Sequence, residues 1–204
     1  MTHGYEDSGF LVGIGQGVAC FSQALHDSFD KTIAMGGGSK NKKIRLADGL
    51  SKARDLFRKA HSTGNKVIFI GNGGSAAIAS HMATDYTKNG GIRAVAFNDV
   101  PTLTCMANDF GYFNVFSKQL EYYGSKGDVV VTISSSGKSK NILEAAAQAM
   151  TMDIPLVTLS GMSSDNPLHA MGDINFYVPA GDYGLIEITH LALLHSIVSV
   201  NNLQ

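Results

Sequence analysis

A chain of 204 residues with 44% hydrophobic residues is long enough for one well-buried domain and too short for two. Its formal net charge of −1 excludes a general electrostatic grip on nucleic acid, which needs a basic face. Its charged fraction of 16% lies below the usual value of about 25% and points to a surface partly covered by self-association.

No apolar run approaches the roughly 20 residues that span a bilayer, and no N-terminal stretch has the layout of a secretory signal. A soluble, cytoplasmic protein without a membrane partner is expected. Cys20 and Cys105 are the only cysteines; nothing around them suggests a metal knuckle or a redox pair. They are expected as small buried hydrophobes.

In chain order, Phe21, Leu25, Phe29 and Ile33 recur every four residues and predict a helix from about Phe10 to Met35. Gly36-Gly37-Gly38-Ser39 ends it as a hinge. A second helix is predicted from Ile44 to Ala60, followed by the short, β-branched run Lys66-Val67-Ile68-Phe69-Ile70, which reads as a buried strand. A helix near Ser75 to Lys88 and a strand near Arg93 to Phe97 come next. Helical pieces within Pro101 to Tyr123 then lead to a second buried strand, Asp128 to Ile133. The remainder reads as a helix Asn141 to Met150, a strand Pro155 to Leu159, a loop through Pro167, a strand Asn175 to Val178 and a final helix from about Leu185. Strands alternating with helices predict an α/β fold, a three-layer sandwich with a mostly parallel central sheet and appended N-terminal helices.

Two loops stand out within this alternation. Gly71-Asn72-Gly73-Gly74-Ser75 and Ser134-Ser135-Ser136-Gly137-Lys138-Ser139 each follow a buried strand and each open a helix. Glycine permits the tight turns, and the free N–H groups of the helix start present partial positive charge to an anion. The serine hydroxyls add donors without adding charge. In a parallel sheet, ligands sit beyond the carboxyl ends of the strands, where both loops fall. One such turn serves many folds merely to pack a helix; two, one carrying four serines in six residues, predict anion binding. Lys138 either pairs with that anion or is solvated.

His81 and Asp85 stand four apart on the helix after the first loop, about 6 Å along its axis, and so share a face. That pair suits a metal ion or an ordinary polar contact. The last helix sets Glu187, His190 and His195 among apolar residues, where unpartnered burial is costly. They are expected to meet one another, bind a ligand or line a wet cleft. Asn108 and Asp109 either turn the chain or touch ligand hydroxyls. His3, His26, His61 and His169 are expected at the surface.

From about Lys66 to Val198 these residues resemble the sugar isomerase (SIS) domain superfamily, and within it the phosphoheptose isomerase family. The resemblance rests on the two loops, His81 and Asp85, the segment Asn108-Asp109-Phe110-Gly111, and the terminal Glu187, His190 and His195, in the family's order and spacing. It divides the chain into an N-terminal helix and hinge over residues 1–40, packing in the oligomer, and a SIS domain over 41–204. It implies sugar phosphate binding by Asn72, Gly73, Gly74, Ser75, Asn108, Asp109, Ser134, Ser135, Ser136, Lys138 and Ser139. It further implies a zinc or other divalent ion on His81, Asp85, Glu187 and His195. By the resemblance Asp85 and His195 would be the proton-transfer pair and the assembly a homotetramer with active sites between subunits; Glu187 itself would be an alternative base.

The chain departs from the family pattern at several of these positions. The family usually has glutamate at Asp85, glutamine at Glu187 and asparagine at Lys138. It has arginine and aspartate at about Asn89 and Gly184, although Asp182 lies near the second. Glu187 adds a negative ligand or a base, yet it stands about 12 Å along an ideal helix from His195 and about 80° around it, a long reach for shared ligation.

The expected activity is aldose–ketose isomerisation of a phosphorylated sugar through an enediol, with sedoheptulose 7-phosphate and a heptose 7-phosphate as the pair. Two rival readings compete with it. A non-catalytic SIS-type phosphosugar-binding protein, such as the replication-initiator-associating branch, lacks the histidine at the His195 position. A dinucleotide-dependent oxidoreductase would use Gly71, Gly73 and Ala76, but its expected acid has only the late Asp99 as a candidate and it leaves the serine loop unexplained.

Overall fold

The computed structural model describes residues 8–36 and 42–199. The described residues begin with α1 (Ser8–Asp30) and include β1 (Ile33–Gly36), β2 (Lys42–Ile44), α2 (Leu46–Ser62), β3 (Val67–Gly71), α3 (Gly74–Lys88) and β4 (Ala94–Ala96). It continues with α4 (Val100–Phe110), a short 3-10 turn, α5 (Val115–Tyr123), β5 (Val129–Ser134), α6 (Lys140–Thr151), β6 (Leu156–Gly161), a second 3-10 turn at Pro167–Ala170, β7 (Ile174–Val178) and α7 (Tyr183–Ser199).

The strands form one seven-stranded sheet in the order β2-β1-β7-β6-β5-β3-β4. The five strands from β3 to β7 are parallel to their neighbours, and β1 lies antiparallel against β7. Every residue of β3, β5, β6 and β7 is buried, as expected of parallel strands covered on both faces. One face packs Phe57, Met82, Tyr86, Ile186 and Leu193 from α2, α3 and α7 against the sheet. The other packs Phe116, Leu120, Ile142 and Ala149 from α5 and α6. The three-layer arrangement expected from the alternation is therefore present.

The chain leaves β3 for β4 on one side and returns to β5 on the other. The sheet thus reverses its order of growth between β3 and β5, whose ends are in register at Gly71 and Ile133. That reversal opens a crevice beyond the strand ends, the place where parallel sheets bind ligands.

The N-terminal expectation needs correction. The helix stops at Asp30, where Lys31 N–H and Thr32 N–H bond back to the Asp27 and Phe29 carbonyls, and Ile33 to Gly36 is a strand rather than the end of a helix. Ile44, expected on α2, belongs to β2. A period-four match at Ile33 carries little weight against a free sheet edge: β7 offers unpaired backbone groups, and four residues of β1 satisfy them. Gly36 closes that strand, while Gly37, Gly38, Ser39 and His3 lie outside the described residues. Cys20 and Cys105 are both exposed, because α4 buries none of its residues and α1 is exposed throughout Gly15–Gln23. His26 and His61 are exposed as expected, whereas His169 is half-buried and stacked on Tyr177 at 4.8 Å.

Candidate active site

The crevice between β3 and β5 holds a cavity of about 130 Å³ lined by Asn72, Ser75, Ser134, Ser135, Ser136, Ser139, Tyr183 and Glu187. Its floor is made by the two loops. In the first, Gly73 adopts φ +54°, a left-handed conformation that glycine reaches without strain, and the Ala76 and Ala77 N–H groups bond back to the Asn72 and Gly73 carbonyls to start α3. In the second, Gly137 at φ +62° turns the chain; its N–H donates to the Ser134 carbonyl at 3.0 Å and to Ser134 Oγ at 3.2 Å.

The loops are tied together. Asn72 Nδ2 donates to Asn141 Oδ1 at 2.9 Å, and Asn141 Nδ2 donates to Asn72 Oδ1 at 3.0 Å. Tyr112 adds a hydroxyl donor to Asn72 Oδ1 at 3.3 Å. Within the serine loop, Ser135 Oγ is buried without a hydrogen-bond partner. Buried hydroxyls are seldom left so, and here one belongs to a residue that lines the cavity.

Further along α3 a second group forms. His81 Nε2 lies 3.2 Å from His195 Nε2, and Asp85 Oδ2 stands 3.6 Å from His81 Nε2 and 3.7 Å from His195 Nδ1. Ligand atoms of these three residues all lie within 4.8 Å of one another. Asn89 Nδ2 donates to the other Asp85 oxygen at 3.3 Å. The convergence follows from α3 and α7 lying side by side and running the same way: Gly74 faces Glu187, His81 faces His195, and the Tyr86 hydroxyl donates to the Leu194 carbonyl at 2.9 Å.

This alignment separates Glu187 from the imidazoles. A Cβ built on Gly74 would collide with Glu187 Oε2, so the carboxylate rests on the first turn of α3, beside the serines, where the partial positive charge of a helix start favours an anion. Glu187 is not part of the group of three; the separation along α7 that made shared ligation a long reach is what the fold shows. His190 goes its own way. It is fully buried, its Nε2 bonds the Ser160 carbonyl at 3.1 Å, and burial lowers its pKa to about 4.

Other expected site residues lie outside the cavity lining. Lys138 is exposed, and its charge helps to lower the pKa of Asp165, after the Ser163 hydroxyl. Asn108 and Asp109 are exposed near the end of α4, bonded to each other at 2.8 Å. Gly73 and Gly74 shape the first loop without lining the cavity. Three residues were missed: Asn141, Tyr112 and Tyr183. An asparagine one residue into α6 carries no signal of its own in a sequence; its partner 69 positions away supplies the meaning.

Comparison with known proteins now decides the family. Residues 40–161 match the SIS domain. The chain is 36% identical over 168 residues to the phosphoheptose isomerase of Helicobacter hepaticus, covering 79% of this chain and 85% of that one. It is 38% identical over 145 residues to that of Colwellia psychrerythraea, covering 67% and 74%. The solved structure of phosphoheptose isomerase from Neisseria gonorrhoeae superposes with a TM-score of 0.78 at 30% identity, covering 93% of this chain and 98% of the other.

The chain belongs to the phosphoheptose isomerase family of SIS-domain proteins. It is an aldose–ketose isomerase, which removes the oxidoreductase and the non-catalytic readings. Among the described residues, no helix is long and apolar enough to cross a membrane.

Proposed function

We propose that the chain interconverts sedoheptulose 7-phosphate and D-glycero-D-manno-heptose 7-phosphate through an enediol. The observation that carries this reading is a single helix with an anion cradle at its start and an acid–imidazole group further on. Ser75 and His81 are six residues apart, about 9 Å along α3, and Asp85 is a turn beyond. A seven-carbon chain with a terminal phosphate bridges that span; a triose phosphate does not.

In this reading Ser75, Ser134, Ser135, Ser136 and Ser139 hold the phosphate together with the backbone N–H groups of both loops. Remote binding of that kind positions the reacting end of the sugar. Asp85 removes the carbon-bound proton to leave the enediol, and His195 transfers a proton between the sugar oxygens. Glu187, resting over the helix start, faces sugar hydroxyls near the phosphate end, away from the reacting carbons, so Asp85 and not Glu187 is the base.

Two imidazoles and a carboxylate suit zinc or a similar divalent ion, which in catalytic sites takes three protein ligands and keeps an open position. His81, Asp85 and His195 would hold it; bound, it would polarise the sugar carbonyl and stabilise developing negative charge. We infer also a cytoplasmic homotetramer with active sites at subunit boundaries, supported by the exposed Val100, Tyr112, Phe113, Tyr122 and Tyr123 of the α4–α5 region. The product would serve heptose synthesis for cell-envelope polysaccharide.

The test is turnover of sedoheptulose 7-phosphate by the purified protein, its His195→Ala and its Asp85→Ala variants. Loss of a general acid or base lowers turnover by about 10²–10⁴-fold. Near-normal rates in both variants would remove them from these roles; phosphosugar binding without turnover of sedoheptulose 7-phosphate in the wild type would overturn this choice of substrate.

A further inference from the structure

A second basic cavity lies at the opposite end of α3 from the serines. It encloses about 50 Å³ and is lined by Arg54 and Arg58 of α2, Asn89, Gly90 and Ile92 after α3, and Ile197 and Val198 of α7. The arginines are four apart and therefore share a face of α2. Gly90 permits the close approach of the three segments, since a Cβ there would stand 2.6 Å from Val198 Cγ2.

The arginines are poorly compensated. Arg54 is largely buried, with 27% of its side chain exposed, and its Nε stands 3.7 Å from Asp55 Oδ1, too far for a hydrogen bond. That Nε is shut off from solvent with no hydrogen-bond acceptor. Only its Nη2 is used, in a bond to Ser51 Oγ at 3.1 Å. Arg58 is exposed and has no carboxylate partner among the described residues. At the end of α3 the Asp85 and Tyr86 carbonyls accept from the N–H groups of Asn89, Gly90 and Ile92, and Arg54 Nε reaches none of the carbonyls there. A buried guanidinium N–H without an acceptor is costly, and a guanidinium group is suited to binding an oxyanion through paired N–H groups. The Asn89 amide has a second N–H beside the one given to Asp85.

We propose that Arg54, Arg58 and Asn89 form a second anion site, which takes a phosphate-type oxyanion, free or as the phosphoryl group of a small metabolite. It lies about 21 Å along α3 from Ser75, too far for one sugar phosphate held by a single chain to occupy both. The site is thus separate from the substrate cradle, and through Asn89 it borders the His81–Asp85–His195 group.

Calorimetric titration with inorganic phosphate at fixed ionic strength tests this. Two sites per chain are expected in the wild type. In Arg54→Gln with Arg58→Gln one of them weakens at least tenfold, while the other remains and turnover of the sugar phosphate persists. In Ser135→Ala the cradle site weakens and the arginine site stays, so failure of the substrate reading and failure of this one are distinguishable. Should the glutamine pair fold poorly, Arg54→Lys with Arg58→Lys keeps charge without the planar fork and is expected to bind several-fold more weakly. Glycerol 3-phosphate in place of inorganic phosphate tells a phosphoryl group from the free ion, and binding of either at the arginine-dependent site supports the proposal. A single site in the wild type, or two sites unchanged in both arginine variants, would overturn it.

Discussion

The carboxamides of Asn72 and Asn141 donate to each other, at 2.9 and 3.0 Å, across the crevice between the third and fifth strands. Each amide bonds the other and, among the described hydrogen bonds, neither goes to the cavity's serines, so the pair fixes the distance between the loops. Asn141 is buried. Replacing it with alanine takes away the acceptor of Asn72 Nδ2, while Tyr112 still donates to Asn72 Oδ1, and should cost about 1–3 kcal/mol of stability. Loosened loops should also bind the sugar phosphate more weakly. The expected kinetic signature is a raised KM with a smaller change in kcat, and an unchanged KM would show that the loops hold their spacing without the amides.

Ser135 makes an opposite prediction. Its hydroxyl is buried and unpartnered in the free protein, a state that costs stability. Ser135→Ala should leave Tm unchanged or raise it by a few degrees. The same substitution should weaken phosphosugar binding, because the donor it removes is the one that awaits a ligand. A fall in Tm without change in affinity would make Ser135 a structural residue.

Gly74 and Glu187 are coupled by contact. A methyl group at position 74 meets the Glu187 carboxylate, so Gly74→Ala must push that side chain off the helix start. Turnover should fall in the single variant. In Gly74→Ala combined with Glu187→Ala the collision is absent, and the double variant should be no worse than Glu187→Ala alone. That non-additivity is the expected coupling between touching residues. Additive losses would mean that Glu187 has room to move aside.

The parallel core was legible because β3, β5 and β6 are short, fully buried and rich in β-branched residues, and because each of these three ends in glycine or serine. What escaped were the features that sequence distance hides. The strand Ile33–Gly36 has four residues and no alternation of its own; the unpaired edge of β7 makes it a strand. The candidate site shows the same division. His81 and Asp85 share a helix face by local geometry, and His195 joins them because two helices run side by side. Glu187, two turns earlier on α7, is carried by that same alignment to the other end of the crevice. A spacing pattern places residues on a helix; only the packing of the second helix says which of them meet.

His190 supplies a prediction in pH. Burial lowers its pKa to about 4 from the ordinary 6.5, although the Ser160 carbonyl that accepts from its ring favours the charged form. The unfolded chain therefore takes up a proton at this histidine as pH falls through about 6.5, while the folded chain resists until about 4. Its contribution to stability is complete above pH 6.5 and declines through that window, by on the order of 3 kcal/mol in total. Carboxylates titrate in the lower part of the same range, so the comparison must be made against a variant. His190→Gln keeps an N–H for Ser160 and cannot titrate. The difference in unfolding free energy between wild type and variant, measured in urea from pH 8 to pH 4.5, should shift steadily against the wild type on acidification. Two parallel curves would show that His190 is as easily protonated in the folded protein as in the unfolded chain.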